Sequence, residues 1–281
     1  MTLKNRAFVM GHPIAHSRSP MLHGYWLNRL GIDGTYQKLD IAPGDLAGFF
    51  QTYRAEGWVG GNVTVPHKTA VIPFLDRIDD HAKAMGAVNT IWWEGDVLTG
   101  GNTDAAGLLG NIDELVPGWD RDSRRAVVLG SGGAARAAIY GLTSRGIQVS
   151  VCNRTPAKAQ GLADHFGFGT TAHSLDELPA LLIQTDLLIN TTSLGMVGQP
   201  PLDIDLNGMK AKAIVYDIVY VPMETGLLSA AKARGLRTVD GLGMLLHQAV
   251  AGFSHWFGQT PTVTPELRKL IADDVRAAGK T

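Results

Sequence analysis

Residues 124–155 read RRAVVLGSGGAARAAIYGLTSRGIQVSVCNRT, and this stretch decides the fold. Its segment at 124–129, which ends in four apolar residues, is typical of a buried strand, and residues 134–144 have the composition of a helix. A second apolar run, at 148–152, has the length of another strand. A strand, a glycine-rich turn, a helix and a further strand predict a parallel sheet with right-handed crossover connections.

The glycine-rich turn matches the pattern G-x-G-x-x-A through Gly130, Ser131, Gly132, Gly133, Ala134 and Ala135. Glycines permit the tight turn and let a pyrophosphate approach the backbone, while the helix N-terminus offers N–H groups and a positive dipole. Because the turn follows a strand and opens a helix, the motif stands in the context that it requires. We therefore predict a dinucleotide site here rather than an incidental glycine-rich turn.

The end of the second strand indicates which dinucleotide binds. Enzymes that use NAD usually place Asp or Glu there, and its carboxylate holds the ribose 2′-hydroxyl. This chain has Asn153, Arg154 and Thr155 instead, with Lys158 one helical turn later. A guanidinium binds a 2′-phosphate through charge-assisted hydrogen bonds, whereas a carboxylate repels it. The pattern favours NADP over NAD. The alternative interpretation is an ordinary helix start at which Arg154 and Lys158 are solvated.

The same alternation of strands and helices extends in both directions along the chain. Further strands are predicted at 186–190, 213–217 and 236–239, and helices at 156–166, 223–234, 242–257 and 265–278. Toward the N-terminus, strands are predicted at 7–10, 35–41 and 59–65, a hairpin at 88–93 and 97–101, and helices at 19–30 and 43–55. The pattern predicts an α/β protein, with a domain boundary at the helix that follows Asp104.

The composition excludes several classes of protein. The 281 residues are 45% hydrophobic and 18% charged, and the net charge of -1 gives no field to attract nucleic acid or an anionic membrane. The one cysteine, Cys152, allows no intrachain disulfide, and no apolar stretch approaches a signal-peptide core or a membrane span. We expect a cytoplasmic protein. No metal site is predicted among the nine histidines.

Two polar clusters lie in the N-terminal part of the chain. Ser17 and Ser19 stand at a predicted helix start, where backbone N–H groups can hold a carboxylate, although Ser19 can equally be a structural N-cap. Lys68 follows a predicted strand, at the sheet edge where α/β proteins bind ligands. Lysine can donate the proton that a dehydrogenase needs, and Asp104 offers it a carboxylate partner. The alternative for Lys68 is a solvated loop lysine.

Six blocks of the sequence resemble motifs of the shikimate dehydrogenase family. They stand in the same order as in the family and span nearly the whole chain. The blocks are Pro-Ile-Ala-His-Ser-Arg-Ser-Pro at 13–20, Asn-Val-Thr-Val-Pro-His-Lys at 62–68, Gly-Ala-Val-Asn-Thr at 86–90, Gly-Asn-Thr-Asp at 101–104, Asn-Thr-Thr-Ser-Leu-Gly-Met at 190–196 and Asp-Gly-Leu-Gly-Met-Leu-Leu-His-Gln-Ala at 240–249. The resemblance implies two domains, an α/β substrate domain at 1–104 plus 241–281 and a Rossmann-like NADP-binding domain with a parallel sheet at 105–240.

The resemblance also implies an activity and the residues that carry it. The activity is the reversible, NADPH-dependent reduction of 3-dehydroshikimate to shikimate, in chorismate and aromatic amino acid biosynthesis. Lys68 and Asp104 are implied as the catalytic pair. The residues implied to touch substrate are that pair with Ser17, Ser19, Thr64, Asn89, Tyr220 and Gln248, with the two serines on the carboxylate. Asn153, Arg154, Thr155 and Lys158 are implied to meet the 2′-phosphate, and Thr191, Ser193, Gly241 and Met244 to lie along the cofactor.

Two alternatives and two departures accompany the resemblance. One alternative is a quinate/shikimate dehydrogenase that uses NAD or NADP, and the other is a non-catalytic NADP-binding sensor. The sensor is disfavoured because it needs no proton donor such as Lys68. His67 stands where the family often has an aromatic residue, and Gly24 where Asn is common, so strictness for shikimate over quinate stays open. A small-molecule substrate, no nucleic acid or membrane partner, and a monomer or homodimer are expected.

Overall fold

The structure, a computed structural model, describes residues 5–278 of the chain. The chain folds into two compact units. The first unit is Met1–Thr103 with Gln248–Ile271, and the second is Asp104–His247 with Ala272–Thr281. The domain limits predicted from the sequence stay a prediction, and their outermost residues, 1–4 and 279–281, lie outside the described residues.

The first unit is built on a six-stranded mixed sheet with strand order β2-β1-β3-β5-β6-β4. Its strands are β1 Asn5–Gly11, β2 Gly34–Asp40, β3 Trp58–Val63, β4 Arg77–Ile78, β5 Thr90–Glu94 and β6 Val97–Gly101. Its helices are α1 Ser19–Arg29, α2 Leu46–Thr52 and α3 Asp80–Met85, joined by parts of α10 Leu242–Phe257 and α11 Pro265–Ala278.

The strand directions bring several chain segments to one edge of this sheet. β1 pairs parallel with β2 and β3, whereas β5 runs antiparallel to β3 and to β6. The carboxyl ends of β1, β3 and β6 and the start of β5 therefore share one edge. The polar blocks at 13–20, 62–68, 86–90 and 101–104 all flank these strand ends, so the topology gathers them there.

Glycines in β3 allow the sheet and the last helices to pack closely. A Cβ on Gly60 would lie 2.3 Å from the Ile91 carbonyl oxygen and 2.3 Å from Nε1 of Trp256, and one on Gly61 would lie 2.5 Å from the Phe8 ring. The Trp256 indole N–H donates to that same Ile91 carbonyl at 2.8 Å. This bond fixes the last turns of α10 against the sheet.

The second unit is built on a six-stranded parallel sheet with strand order β12-β11-β10-β7-β8-β9. Its strands are β7 Arg125–Leu129, β8 Gln148–Cys152, β9 Thr170–His173, β10 Leu187–Asn190, β11 Ile214–Asp217 and β12 Arg237–Val239. Its helices are α4 Asp104–Leu115, α5 Trp119–Asp122, α6 Gly133–Ser144, α7 Pro156–Phe166, α8 Leu178–Leu182 and α9 Gly226–Ala233, with the remaining parts of α10 and α11. Buried apolar clusters cover both faces of this sheet.

The predicted α/β class is confirmed, with a parallel sheet in the second unit. Three element predictions need correction. The helix predicted at 223–234 begins at Gly226, because Thr225 is its N-cap. The helix predicted at 43–55 is a 3-10 turn, Pro43–Asp45, followed by the shorter α2. The strand predicted at 59–65 ends at Val63, because the chain turns before the cis Val65–Pro66 peptide. No helix in the described part of the chain has both the length and the apolar character that a bilayer-spanning segment requires.

Candidate active site

The start of α1 places the two serines at the polar edge of the first unit. The helix begins at Ser19 with Arg18 as the N-cap, and no side chain caps it. Ser19 is therefore the first helical residue and not the N-cap that the sequence left open. Its backbone N–H donates to Ser17 Oγ at 3.3 Å, and its side chain is buried. The Ser19 hydroxyl has no capping role, which leaves it available for a ligand.

The turn after β3 holds Lys68 on an anchored backbone. The Val88 N–H donates to the Lys68 carbonyl at 2.7 Å, and the Thr64 N–H donates to the Met10 carbonyl at 2.9 Å. His67 is fully buried, and its Nε2 lies 2.7 Å from the Ile41 carbonyl oxygen, so the ring N–H donates there. His67, which stands where the family often has an aromatic residue, therefore holds the turn in place through this hydrogen bond. Thr64 and Lys68 are half-buried beside it.

Asn89 and Gln248 belong to the same edge. Asn89 is buried just before β5, and its Oδ1 accepts from the Thr103 N–H at 2.9 Å. The Thr103 hydroxyl in turn lies 3.5 Å from Gln248 Oε1 on α10. The first unit therefore gathers six of the predicted substrate residues around the ends of its strands: Ser17, Ser19, Thr64, Lys68, Asn89 and Gln248.

Asp104 and Tyr220, the other two predicted substrate residues, belong to the second unit. Asp104 is buried and is the first residue of α4. Two residues before it, the side-chain amide of Asn102 donates to the Ala87 carbonyl at 2.9 Å. Tyr220 is half-buried in the loop that follows β11. Lys68 and Asp104 thus come from different units, and their action as a pair stays a prediction.

The glycine-rich turn lies at the carboxyl edge of the second sheet, between β7 and α6. Gly130 has φ of 109°, which an L side chain rarely adopts, and a Cβ there would lie 2.9 Å from Thr191 Oγ1. Gly132 is the N-cap of α6, and a Cβ on either Gly132 or Gly133 would meet open space. These two exposed glycines leave the helix N-terminus accessible to an anion, as a pyrophosphate site requires.

Thr191 and the residues after β8 frame the same turn. The Thr191 hydroxyl donates to the Leu129 carbonyl at 2.5 Å, and the Asn153 amide donates to Ser131 Oγ at 3.0 Å. Arg154 and Lys158 are exposed, and residues 5–278 offer neither of them an acidic partner. Two solvated cations beside a helix N-terminus can bind a phosphate without first breaking an ion pair.

A cavity of 520 Å³ opens at this edge. Gly130, Asn153, Arg154 and Ser193 line its polar side together with the acidic residues Asp203 and Asp205, and Leu178 and Leu202 belong to its apolar side. A pocket of this size, with an apolar wall and a cation at its rim, suits an aromatic base joined to a phosphorylated sugar.

Gly241 and Met244 have packing roles in the structure. A Cβ on Gly241 would lie 2.0 Å from the Ile218 carbonyl oxygen, so only glycine fits there. Met244 packs against the apolar cluster on the α6 face of the sheet. These contacts explain both residues without a ligand, and their predicted contact with a cofactor stays a prediction.

A buried hydrogen-bonded group centred on Asp217 escaped the sequence analysis. The Asp217 carboxylate accepts from Asn190 Nδ2 at 2.9 Å, from the Val219 N–H at 3.1 Å and from the Thr225 hydroxyl at 2.7 Å. Burial raises the pKa of this carboxyl. Asn190 also accepts from the backbone N–H and the hydroxyl of Thr192. The group ties the loop after β10 to the loop after β11. In the sequence, this group is indicated by a polar residue at the end of each of two apolar runs, Asn190 and Asp217.

Within residues 5–278 no group of three or more His, Cys, Asp or Glu side chains is arranged to hold a metal ion. The polar groups of both sheet edges are mainly hydroxyls, amides, backbone N–H groups and cations, beside the carboxylates of Asp104 and Asp217. Such groups bind carboxylates, hydroxyls and phosphates, which are the chemical groups of a small sugar-like acid and of a dinucleotide.

Three family models match the chain in order. Residues 9–91 match the shikimate dehydrogenase substrate binding domain, residues 115–197 match shikimate / quinate 5-dehydrogenase, and residues 241–264 match the shikimate 5′-dehydrogenase C-terminal domain.

Named relatives cover the whole length. The shikimate dehydrogenase (NADP(+)) of Azorhizobium caulinodans is 52% identical over 276 residues, which are 98% of each chain. Shikimate 5-dehydrogenase from Thermus thermophilus, solved with NADP(H) and shikimate, matches with a TM-score of 0.83 at 34% identity, over 96% of this chain and 99% of that one. Quinate dehydrogenase from Corynebacterium glutamicum, solved with NAD, matches with a TM-score of 0.86 at 29% identity, over 95% and 98%.

Proposed function

Because the chain belongs to the shikimate dehydrogenase family, we propose that it catalyses the reversible, NADPH-dependent reduction of 3-dehydroshikimate to shikimate. It is an NADP-dependent oxidoreductase that acts on a CH–OH group, and it serves chorismate and aromatic amino acid biosynthesis. The observation that carries the proposal is the 52% identity, over 98% of both chains, to a relative named for this activity and this cofactor.

Proton transfer is the task that we assign to Lys68. Hydride addition to a ketone leaves an alkoxide, which must receive a proton, and NADPH supplies the hydride when bound. The Lys68 ammonium donates that proton, and in the reverse direction its amine takes the proton of the substrate hydroxyl. The backbone tethers to Val88 and through His67 support this role, since they fix the base of the lysine side chain. Asp104 orients the ammonium and the reacting hydroxyl.

Substrate anchoring falls to the polar edge of the first unit. The hydroxyls of Ser17 and Ser19 bind the substrate carboxylate at the start of α1, where the helix dipole favours a negative charge. Thr64, Asn89, Gln248 and Tyr220 hold the substrate ring and its hydroxyls. The gathering of five of these six residues at the strand ends of one sheet supports this assignment.

Cofactor binding falls to the carboxyl edge of the second sheet. The pyrophosphate takes the N-terminus of α6 with Gly130, Ser131, Gly132, Gly133 and Ala134, and the 2′-phosphate takes Asn153, Arg154, Thr155 and Lys158. Thr191, Ser193, Gly241 and Met244 follow the rest of the dinucleotide. The open glycine turn and the two unpaired cations beside it support the proposal.

The test is turnover measured by NADPH absorbance, with shikimate and quinate each paired with NADP and NAD. We expect kcat/KM to be highest for shikimate with NADP. The resemblance to a quinate dehydrogenase solved with NAD makes quinate with NAD the rival pair, and a higher kcat/KM for that pair would reject the proposal. Absence of turnover with every pair, despite NADP binding, identifies a sensor instead.

The catalytic assignment is tested by Lys68→Ala. A general acid–base group contributes about 10²–10⁴-fold to rate, so kcat with saturating shikimate and NADP should fall by that factor, with a far smaller change in KM. Lys83→Ala is the matched control, because Lys83 is an exposed lysine of the same unit, paired with Asp80 on α3. A kcat for Lys68→Ala within threefold of the unmodified enzyme removes Lys68 from the mechanism.

We also propose a cytoplasmic location, which dependence on a diffusible nicotinamide cofactor supports, and a monomeric or homodimeric state. Light scattering after size-exclusion chromatography measures the assembly directly, and a larger mass contradicts this part of the proposal.

A further inference from the structure

A continuous chain of buried side-chain hydrogen bonds crosses the first unit beneath its polar edge. The Tyr36 hydroxyl donates to Asn62 Oδ1 at 2.6 Å, and Asn62 Nδ2 donates to Thr90 Oγ1 at 3.3 Å. The Thr90 hydroxyl then donates to Asn89 Oδ1 at 2.8 Å. The chain therefore runs from Tyr36 to Asn89.

Each hydrogen bond of this chain has a fixed donor and a fixed acceptor. An amide oxygen only accepts, so the single hydrogen of Tyr36 points to Asn62. The Asn62 amide nitrogen is then the donor to the Asn89 carbonyl, at 3.2 Å, and to Thr90. Thr90 accepts from Asn62 and gives its own hydrogen to Asn89. The Asn89 amide is thus oriented with its oxygen toward Thr90 and its nitrogen toward Thr103 Oγ1, at 3.1 Å.

Burial makes this orientation strict. Asn62 is 6% exposed, Asn89 3% and Thr90 not at all, so water cannot replace a lost partner and an unsatisfied group costs free energy. At the other end His23 stacks on Tyr36 with ring centroids 4.0 Å apart, and holds the phenol ring in its plane. A strand pair needs no such chain of polar side chains, because its backbone groups already pair with each other.

One end of the chain is a proposed substrate ligand, Asn89, which is assigned to the ring hydroxyls. We propose that Tyr36, Asn62 and Thr90 are positioning residues, which set the amide orientation of Asn89 for the hydroxyls of a cyclic acid. This inference rests on the proposed function, because it needs Asn89 to meet that substrate.

The experiment compares two substitutions that remove one oxygen each, Tyr36→Phe and Thr90→Val. A neutral hydrogen bond contributes about 0.5–1.5 kcal/mol, so KM for shikimate should rise about three- to tenfold, with kcat within twofold and KM for NADP unchanged. Tyr53→Phe is the matched control. Tyr53 is equally buried in the same unit, and its hydroxyl has no partner among the described residues. Its KM for shikimate should not change.

Double mutants separate positioning from general stability. In an Asn89→Ala background the effects of Tyr36→Phe and of Thr90→Val on KM should both vanish, because each residue acts through Asn89. Thr90→Ser keeps the hydroxyl and should restore KM. Additive effects in both cycles, or a lower melting temperature with unchanged KM, overturn the positioning role. If the unmodified enzyme does not oxidise shikimate, the proposed function fails and this inference falls with it.

Discussion

In the proposed cofactor site, Arg154 is the residue that we expect to favour NADP over NAD. Arg154 follows β8 directly after Asn153, is exposed, and forms no ion pair within residues 5–278. No ion pair of the protein therefore competes with a phosphate for the guanidinium. The same position in an NAD enzyme carries the opposite charge.

Arg154→Ala should raise KM for NADP and leave KM for NAD little changed. A charge-assisted hydrogen bond contributes about 1.5–3 kcal/mol, which corresponds to roughly ten- to a hundredfold in KM. Steady-state kinetics with each cofactor at saturating shikimate measures the effect. Arg121→Ala, at an exposed arginine on α5, is the control for loss of one positive charge. Equal use of NADP and NAD by the unmodified enzyme contradicts the assignment.

Residue patterns point to candidate ligands more readily than to the groups that support those ligands. Ser19, Lys68 and Arg154 stand beside turns, helix starts and strand ends, so their type and position together suggest a ligand. Tyr36 and Thr90 lie within strands, where an aromatic or β-branched residue is ordinarily part of the core. Only the arrangement of β2, β1, β3 and β5 side by side in one sheet brings their hydroxyls to the same buried amide, that of Asn62.

At the scale of elements, short loops after β10 and β11 have to keep one conformation without regular structure. Asp217 supplies their common acceptor, because it takes hydrogen bonds from Asn190, from the Val219 N–H and from Thr225. Thr225 also caps α9 through the Leu228 N–H. One carboxylate thus joins two loops and a helix start.

Asp217→Ala should lower the free energy of unfolding by about 2–4 kcal/mol, because three buried donors lose their acceptor at once. Thr225→Val removes one donor and one cap, and should lower it by about 1–2 kcal/mol. Urea unfolding at neutral pH compares the two variants. Equal losses in both would mean that the carboxylate is not the centre of the group.

Elements with a strong local signal were predicted well, and short ones were missed. The helix at 156–166 and the strand at 148–152 have the predicted bounds, since Pro156 starts the helix and Gly167 follows it. β4 has two residues, and β9 reads Thr-Thr-Ala-His at the sheet edge, so neither has an apolar run. The predicted helix at 43–55 shortened because Pro43 and Gly44 favour a turn before α2 begins.

At the scale of the whole molecule, the acid stability of the first unit depends on a neutral histidine. His23 is fully buried among Tyr36, Phe253 and Trp256, and burial lowers its pKa to about 3. In the unfolded chain a histidine has a pKa near 6.5. The folded state binds this proton less tightly than the unfolded state, so the stabilising effect is present above pH ~6.5 and is lost progressively as the pH falls toward 3.

Lowering the pH from 7 to 4.5 should therefore cost the first unit about 2–3 kcal/mol through His23 alone. His23→Phe should remove that part of the pH dependence, whereas His81→Phe, at an exposed histidine of the same unit, should not. Tryptophan fluorescence during urea unfolding at both pH values is a suitable readout, because five of the six tryptophans lie in the first unit. An equal pH dependence in the His23 variant and the unmodified chain contradicts this account.

The burial of Cys152 gives the second unit a natural reporter of its own opening. The thiol is not exposed at all, and its burial raises its pKa to about 12, while its carbonyl accepts from the Gly130 N–H at 2.9 Å. Alkylating reagents attack the thiolate, so modification has to wait until β8 detaches from its neighbours. The labelling rate of Cys152 therefore reports how often β8 opens beside the glycine-rich turn, without an engineered probe. A ligand that favours the closed state lowers this rate in proportion to its occupancy.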